Sequence, residues 1–185
     1  MPEVGEILID KATGSTYEFI ETGMETRGER VTLKITMKEK GRLVPDHIHL
    51  LQNETFKILK GELTCIENGK EKTLKKGEHI LLEKGIPHNH YNTSSNPVEY
   101  IQTIEPAFDI DFFIENYIKS LNSGRIKNRE PSFLQKMATL KYLDSPTLLA
   151  GIPLPIQKVL VNLLGPLAKM FGYRALYQEY TGIEK

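Results

Sequence analysis

Between Gly28 and Pro106 apolar and polar residues alternate in steps of two, and glycine and proline break the runs at short intervals. In ERVTLKITMKEKG, Val31, Leu33, Ile35 and Met37 fall on one face, with Thr32, Lys34, Thr36 and Lys38 on the other, the pattern of a half-buried strand. ETFKILKGELTCIENGKEKTLKKGEHILLEKG continues the rhythm, with Asn68-Gly69 between two runs as a hairpin signal. Short strands at this spacing predict an all-β barrel or sandwich. After Pro106 the period changes. AFDIDFFIENYIKSLNSG carries Phe108, Phe112, Ile114 or Glu115, and Ile118 near helical spacing and stops at Gly124. PSFLQKMATLKYLDS starts with Pro131, suited to a first helical turn, and groups Phe133, Leu134, Met137 and Leu140 on one side. LPIQKVLVNLLGPLAKMFG is apolar almost all round, interrupted by Lys158, Asn162 and Lys169, and is expected to bend or break at Gly165-Pro166. The chain thus divides into a β unit, residues 1–106, and a helical extension, 107–185, which is expected to pack on the barrel or at a dimer interface.

Composition narrows the classes of partner. The 185 residues suit one domain with an appendage. Twenty-four basic and twenty-four acidic side chains cancel, so no overall field draws the chain to nucleic acid or an anionic membrane, and neither is expected as a partner. Cys65 is the single cysteine; it allows neither an internal disulfide nor a cysteine-based zinc site. MPEVGEILID lacks the basic start and apolar run of a signal peptide. A cytoplasmic protein is the expectation, and no apolar run is long enough to predict a transmembrane helix.

The candidate chemistry lies in GRLVPDHIHLLQNETFKILKG. Residues two apart in a strand project from one face, so His47 and His49 can reach one ion together. A strand starting near Glu54 puts that carboxylate on the side of Phe56 and Ile58, where a charge is costly unless paired or bound to metal. A bare His-x-His belongs more often to a solvent-facing strand than to a metal site.

The surrounding spacing resembles the two conserved motifs of the cupin superfamily. Gly41, His47, His49, Glu54 and Gly61 fit the first without departure. In GEHILLEKGIPHNHYN, Gly77, Gly85, His88 and Asn92 fit the second, and Glu83 stands where that family usually has proline. The resemblance covers about Gly28 to Pro106. It implies a double-stranded β-helix, or jelly-roll, barrel in which His47, His49, Glu54 and His88 hold one divalent transition metal. Imidazole and carboxylate donors do not fix the ion; iron or manganese is favoured, with nickel or zinc as alternatives. His90 shares the parity of His88 and is read as a fifth ligand, a proton carrier or a solvated loop residue, while His79 reads as a strand-surface histidine. By parity the chamber is lined by Val31, Leu33, Ile35, Met37, Leu43, Phe56 and Ile58, without a cationic clamp in register for phosphate or dicarboxylate. Leu33, Ile35, Phe56, Ile58, His90 and Tyr100 are the candidate ligand contacts, and Glu54 the candidate catalytic group. An oxidoreductase of dioxygenase type, acting on a small apolar or aromatic molecule that chelates through oxygen, is the leading expectation; a non-catalytic binding module or a metal-assisted isomerase or lyase are the alternatives. Cupins commonly dimerise, and a homodimer is expected.

Overall fold

A computed structural model describes residues 1–42 and 46–185; Leu43, one of the expected chamber residues, lies outside them. Strands β1 (Ile7–Ile9), β2 (Thr16–Glu21), β3 (Val31–Met37), β4 (Gly41–Arg42), β5 (His47–His49), β6 (Asn53–Lys60), β7 (Glu62–Glu67), β8 (Lys70–Lys75), β9 (His79–Leu82), β10 (His88–Asn92) and β11 (Val98–Glu105) form the β unit. The rest of the chain is α1 (Ile110–Asn122), α2 (Phe133–Tyr142), strand β12 (Thr147–Leu149), α3 (Leu154–Met170) and α4 (Gln178–Thr181).

Among the described residues the strands make two antiparallel sheets. One has the order β1-β2-β3-β11-β6-β9; the other runs β12-β5-β10-β7-β8, with β4 paired to β10. The alternation read from the sequence sets the inner faces. Val31, Leu33, Ile35 and Met37 of β3, Phe56 and Ile58 of β6, and Tyr100 and Ile104 of β11 are all buried and form one core with Leu63, Cys65 and Leu74 of the facing sheet. The fold is the expected jelly-roll barrel followed by a helical extension. The β7–β8 hairpin turns at Asn68 and Gly69, both at positive φ, as a tight turn of mirror-image type requires. Cys65 is buried, and burial pushes its thiol up to about 12, so it is an inert core residue.

Four features depart from the expectation. The sheet starts before Gly28, because β1 and β2 add two strands whose inward Leu8, Tyr17 and Phe19 join the core. Helix α3 runs unbroken through Pro166. A side chain at Gly165 would meet Lys141 carbons at 2.7 Å, so the glycine lets α3 lie close against α2, while the proline faces solvent. On α2 the inward residues are Gln135, Met137 and Ala138, and Phe133 is exposed. The reason is polar: Gln135 donates to the Arg174 carbonyl at 2.7 Å and accepts from the Tyr177 hydroxyl at 2.8 Å, which fixes which face turns in. Lastly, the extension contains a strand. β12 pairs with β5, setting Thr147 opposite His49 and Leu149 opposite His47.

One buried carboxylate anchors that strand. Asp109, just before α1, accepts from the backbone amides of Asp144 and Ser145 at 2.8 and 2.9 Å, from the Ser145 hydroxyl at 2.6 Å and from Lys185 at 2.9 Å. Burial opposes its ionisation, but the hydrogen bonds from Ser145 and Asp144 and the Lys185 charge outweigh burial and hold the carboxyl below its usual range. A carboxyl with a lowered folded pKa contributes stability above its unfolded value and loses it as pH falls through the folded value. Asp109→Ala is therefore expected to lower stability in urea melts by about 2 kcal/mol at pH 7, with the gap to the parent narrowing below about pH 4; a gap independent of pH would show that the charge of Asp109 is not what holds the segment.

Candidate metal centre and cavity

Three strands bring four side chains together. His47 and His49 project from β5, Glu54 from the start of β6 and His88 from the start of β10, where it pairs with His47. One ligand-type atom from each lies within 4.8 Å of the others, and all four residues are buried. The His47 ring meets those of His49 and His88 edge-on, at centroid distances of 4.8 and 4.7 Å. Glu54 Oε1 is 3.1 Å from His49 Nε2, and Gln102 donates to the same oxygen at 3.3 Å. Burial alone would raise the Glu54 pKa; the His49 hydrogen bond and the three neighbouring imidazoles outweigh burial and hold the carboxyl well below its usual range.

Two of the rings are oriented from behind. His88 Nδ1 lies 2.8 Å from the Ile86 carbonyl, which can only accept, so Nδ1 carries the proton and Nε2 presents a lone pair to the cluster. That Nε2 and Glu54 Oε2 are buried without hydrogen-bond partners and stand 3.7 Å apart. For His49 the partner comes from the extension. The Thr147 hydroxyl, which also reaches the Ser145 carbonyl at 3.3 Å, hydrogen-bonds His49 Nδ1 at 3.1 Å and so holds the ring with Nε2 toward Glu54. Imidazole nitrogens gathered around a carboxylate, with His88 Nε2 and Glu54 Oε2 unspent, are the donor set a divalent transition ion requires. The site's residues fit such an ion.

A cavity of about 190 Å³ opens beside this cluster. His47, His49, Glu54, His90 and Gln102 make its polar end. The barrel adds Tyr17, Ile35 and Ile104, while α1 and α2 supply Ile110, Phe113, Ile114, Tyr117, Thr139 and Leu140. The extension is thus a wall of the cavity, a role its amphipathic pattern did not reveal. Of the six expected ligand contacts, Ile35 and His90 line the cavity. Leu33, Phe56, Ile58 and Tyr100 are buried in the barrel core and are not among the residues that line the cavity.

His90 is not a solvated loop residue. It lies on β10, buried, with Nε2 3.1 Å from the Tyr100 hydroxyl and its ring 4.5 Å from that of Phe56. Burial, opposed by the Glu54 charge and assisted by His88, lowers its pKa to about 4, so it is neutral at pH 7. It stands outside the four-atom cluster. His79 is exposed on β9, as read from the sequence. Thr147 was missed because nothing in SPTLLAG marks a strand; only the fold carries it to His49.

The Cupin domain family model matches residues 33–104. A protein from Hypocrea virens (strain Gv29-8 / FGSC 10586), described as probable oxidoreductase virH, is 30% identical over 151 residues, spanning 74% of this chain and 67% of that protein. Among solved structures, a predicted oxalate decarboxylase from Thermotoga maritima is similar at 19% identity and a TM-score of 0.48, over 56% of this chain and 92% of that one. A sugar phosphate isomerase from Silicibacter pomeroyi is similar at 15% identity and a TM-score of 0.47, over 56% and 75%.

If the Thr147 hydroxyl orients His49, Thr147→Val is expected to weaken binding of Co²⁺ about tenfold in a chelator competition, and Thr147→Ser to restore it. Equal binding by all three proteins would reduce Thr147 to a packing residue.

Proposed function

We propose, for a chain that belongs to the cupin superfamily, a metal-dependent oxidoreductase of dioxygenase type that acts on a small apolar or aromatic molecule chelating through oxygen. The observation that carries the proposal is the buried cluster of His47, His49, Glu54 and His88 at the end of a mainly apolar cavity, with His88 Nε2 and Glu54 Oε2 unspent. In this reading those four residues hold one divalent transition ion, iron or manganese in preference to nickel or zinc, which when bound supplies Lewis acidity and one-electron chemistry. The oxidoreductase description of the Hypocrea virens relative supports the reaction class.

The chain's own residues have separate parts. Glu54 contributes the negative charge of the cluster and acts either as a ligand of the ion or as the carboxylate that takes a proton from the substrate. Gln102 holds Glu54 Oε1, and Thr147 and the Ile86 carbonyl orient the rings of His49 and His88. Ile35, Ile104, Phe113 and Ile114 exclude water and receive the apolar body of the substrate. Lys136 is the cation on the cavity wall, and it is paired with Glu130, which leaves no free clamp there for phosphate.

A homodimer belongs to the same proposal. Ile156, Val159, Leu163 and Met170 form a ridge along α3 in steps of three, four and seven residues, and all are exposed, Leu163 at 68% and Met170 at 83%. The helix is about 25 Å long, and a ridge of that length offers a surface of the order that a standard interface takes from each partner, roughly 800 Å². We assign it to a second copy of this chain.

Two experiments test the proposal. Iron-loaded protein is expected to take up oxygen with at least one of a catechol, flavonoid and aryl diketone panel. His49→Ala should lose both metal and uptake while His79→Ala keeps them; ligand binding without uptake by any member would point to a non-catalytic module instead. Light scattering is expected to give twice the chain mass for the parent and the single mass for Leu163→Glu. A monomeric parent would sink the dimer, and binding of that monomer to lipid vesicles would reassign the ridge to a membrane surface.

A further inference from the structure

The cavity has a second polar end. Tyr17 on β2 and Ser120 on α1 both line it, and both are buried. Neither hydroxyl makes a hydrogen bond. Buried polar groups without partners are rare enough to require an explanation, and a serine inside a helix ordinarily returns its hydroxyl to the preceding turn. Ser120 does not. Tyr17 stands beside Arg129, whose guanidinium is committed to Asp10 and also retains one unpartnered nitrogen. Even an Arg129 donation to the phenol oxygen leaves the phenol proton without an acceptor. Burial raises the Tyr17 pKa above its ordinary value in spite of the nearby Arg129 charge, so the group is a neutral donor across the physiological range.

Both donors lie away from the metal centre: Asn122, two residues after Ser120, accepts from the Lys11 amide and donates to the Ile9 carbonyl, which sets that end of α1 beside β1, the strand paired with β2. Tyr17 pairs through Ile35 to Tyr100, whereas Glu54 pairs with Ile104 of the same strand. Four residues along β11 are roughly 13 Å. The wall that joins the two ends has Ile35 beside Tyr17, Ile104 beside Glu54 and Ile118 from α1, and the Gln102 amide on it is committed to Glu54. A cavity of this kind has one end that favours chelating oxygens, an apolar middle and a far end with two unspent O–H donors. The cations near the far end, Arg129 and Lys136, are each neutralised by a carboxylate, so an anion gains no free charge there.

We propose that the far end is a second binding subsite, in which the Tyr17 and Ser120 hydroxyls take a neutral oxygen acceptor, such as a carbonyl, ether or hydroxyl, carried at the opposite end of the ligand from its chelating oxygens. This deepens the functional reading above and rests on it for the placement of the chelating end. The ligand class becomes narrower: an elongated, uncharged, mainly apolar molecule with oxygen functions at both ends.

Two probes separate the ends. 1-Phenylbutane-1,3-dione offers the chelating pair alone, and 1-(4-methoxyphenyl)butane-1,3-dione adds a distal ether oxygen. Calorimetric titration of cobalt-loaded protein is expected to give about tenfold tighter binding for the methoxy compound. Tyr17→Phe and Ser120→Ala should each shrink that advantage, and the double variant should remove it, with melting temperatures reporting that each variant is folded. Equal affinities in the parent, an advantage that survives in the double variant, or no binding of either probe would overturn the subsite. His49→Ala addresses the other end separately: if it leaves both affinities unchanged, the chelating reading fails while the methoxy advantage still decides the subsite.

Discussion

The carboxylate of Asp109, at the start of the helical extension, fixes the segment that reaches back to the barrel. It collects two backbone amides and a hydroxyl from residues 144 and 145 and a lysine from the C-terminal end, all while nearly buried. A buried charge is tolerated only when its lone pairs are filled and a counter-charge is near, and here both conditions are met by segments remote in sequence. The segment that follows is thereby fixed where β12 can pair with β5, so Thr147 meets His49 and Leu149 meets His47. Gln157 extends the chain of dependence by binding both backbone groups of Leu149 and the Ile152 carbonyl, which hangs α3 from the same strand. The histidine-bearing edge, the cavity wall and the exposed ridge of α3 therefore share one support.

The cluster itself runs against the usual economy of a core. Glu54 lies on the inward face of β6 in register with Phe56 and Ile58, where an apolar residue would pack without cost. Its ionised form persists because three imidazoles surround it, one at hydrogen-bond distance. The second carboxylate oxygen and His88 Nε2 remain without partners, which a purely structural polar network would not leave unfilled. That imbalance distinguishes a site built to hold something from a satisfied buried cluster.

How much of this the sequence disclosed follows from range. Strand parity is local, so the inward sets of β3 and β6, the Asn68-Gly69 turn and the common side of His47 and His49 were legible, and the spacing of Gly41, Glu54, Gly61 and His88 added the family. Depth was not legible. Parity places Leu33, Phe56, Ile58 and Tyr100 on the same face as Ile35 and Glu54, but which inward residues meet a cavity and which meet one another depends on where the barrel closes. Helical periodicity likewise located α1, α2 and α3 but misjudged the face of α2, because its orientation is set by Gln135 bonding to the Arg174 carbonyl and the Tyr177 hydroxyl, contacts made across about forty residues. Three residues of strand in SPTLLAG leave no periodic trace at all.

The cost of the extension is its exposed apolar ridge, and the gain is a change in the medium around the cluster. Without α1 and α2, the strands carrying His47, His49 and Glu54 would face an open mouth. With Phe113, Ile114 and Leu140 over them, the same charges act in a region of lower dielectric, where each interaction with a bound group is stronger than in water. The wall and the cluster are not independent, since the strand that orients His49 is covalently continuous with α2 on one side and α3 on the other. The hydrogen bond between Thr147 and His49 therefore ties the cavity wall and the cluster into one arrangement.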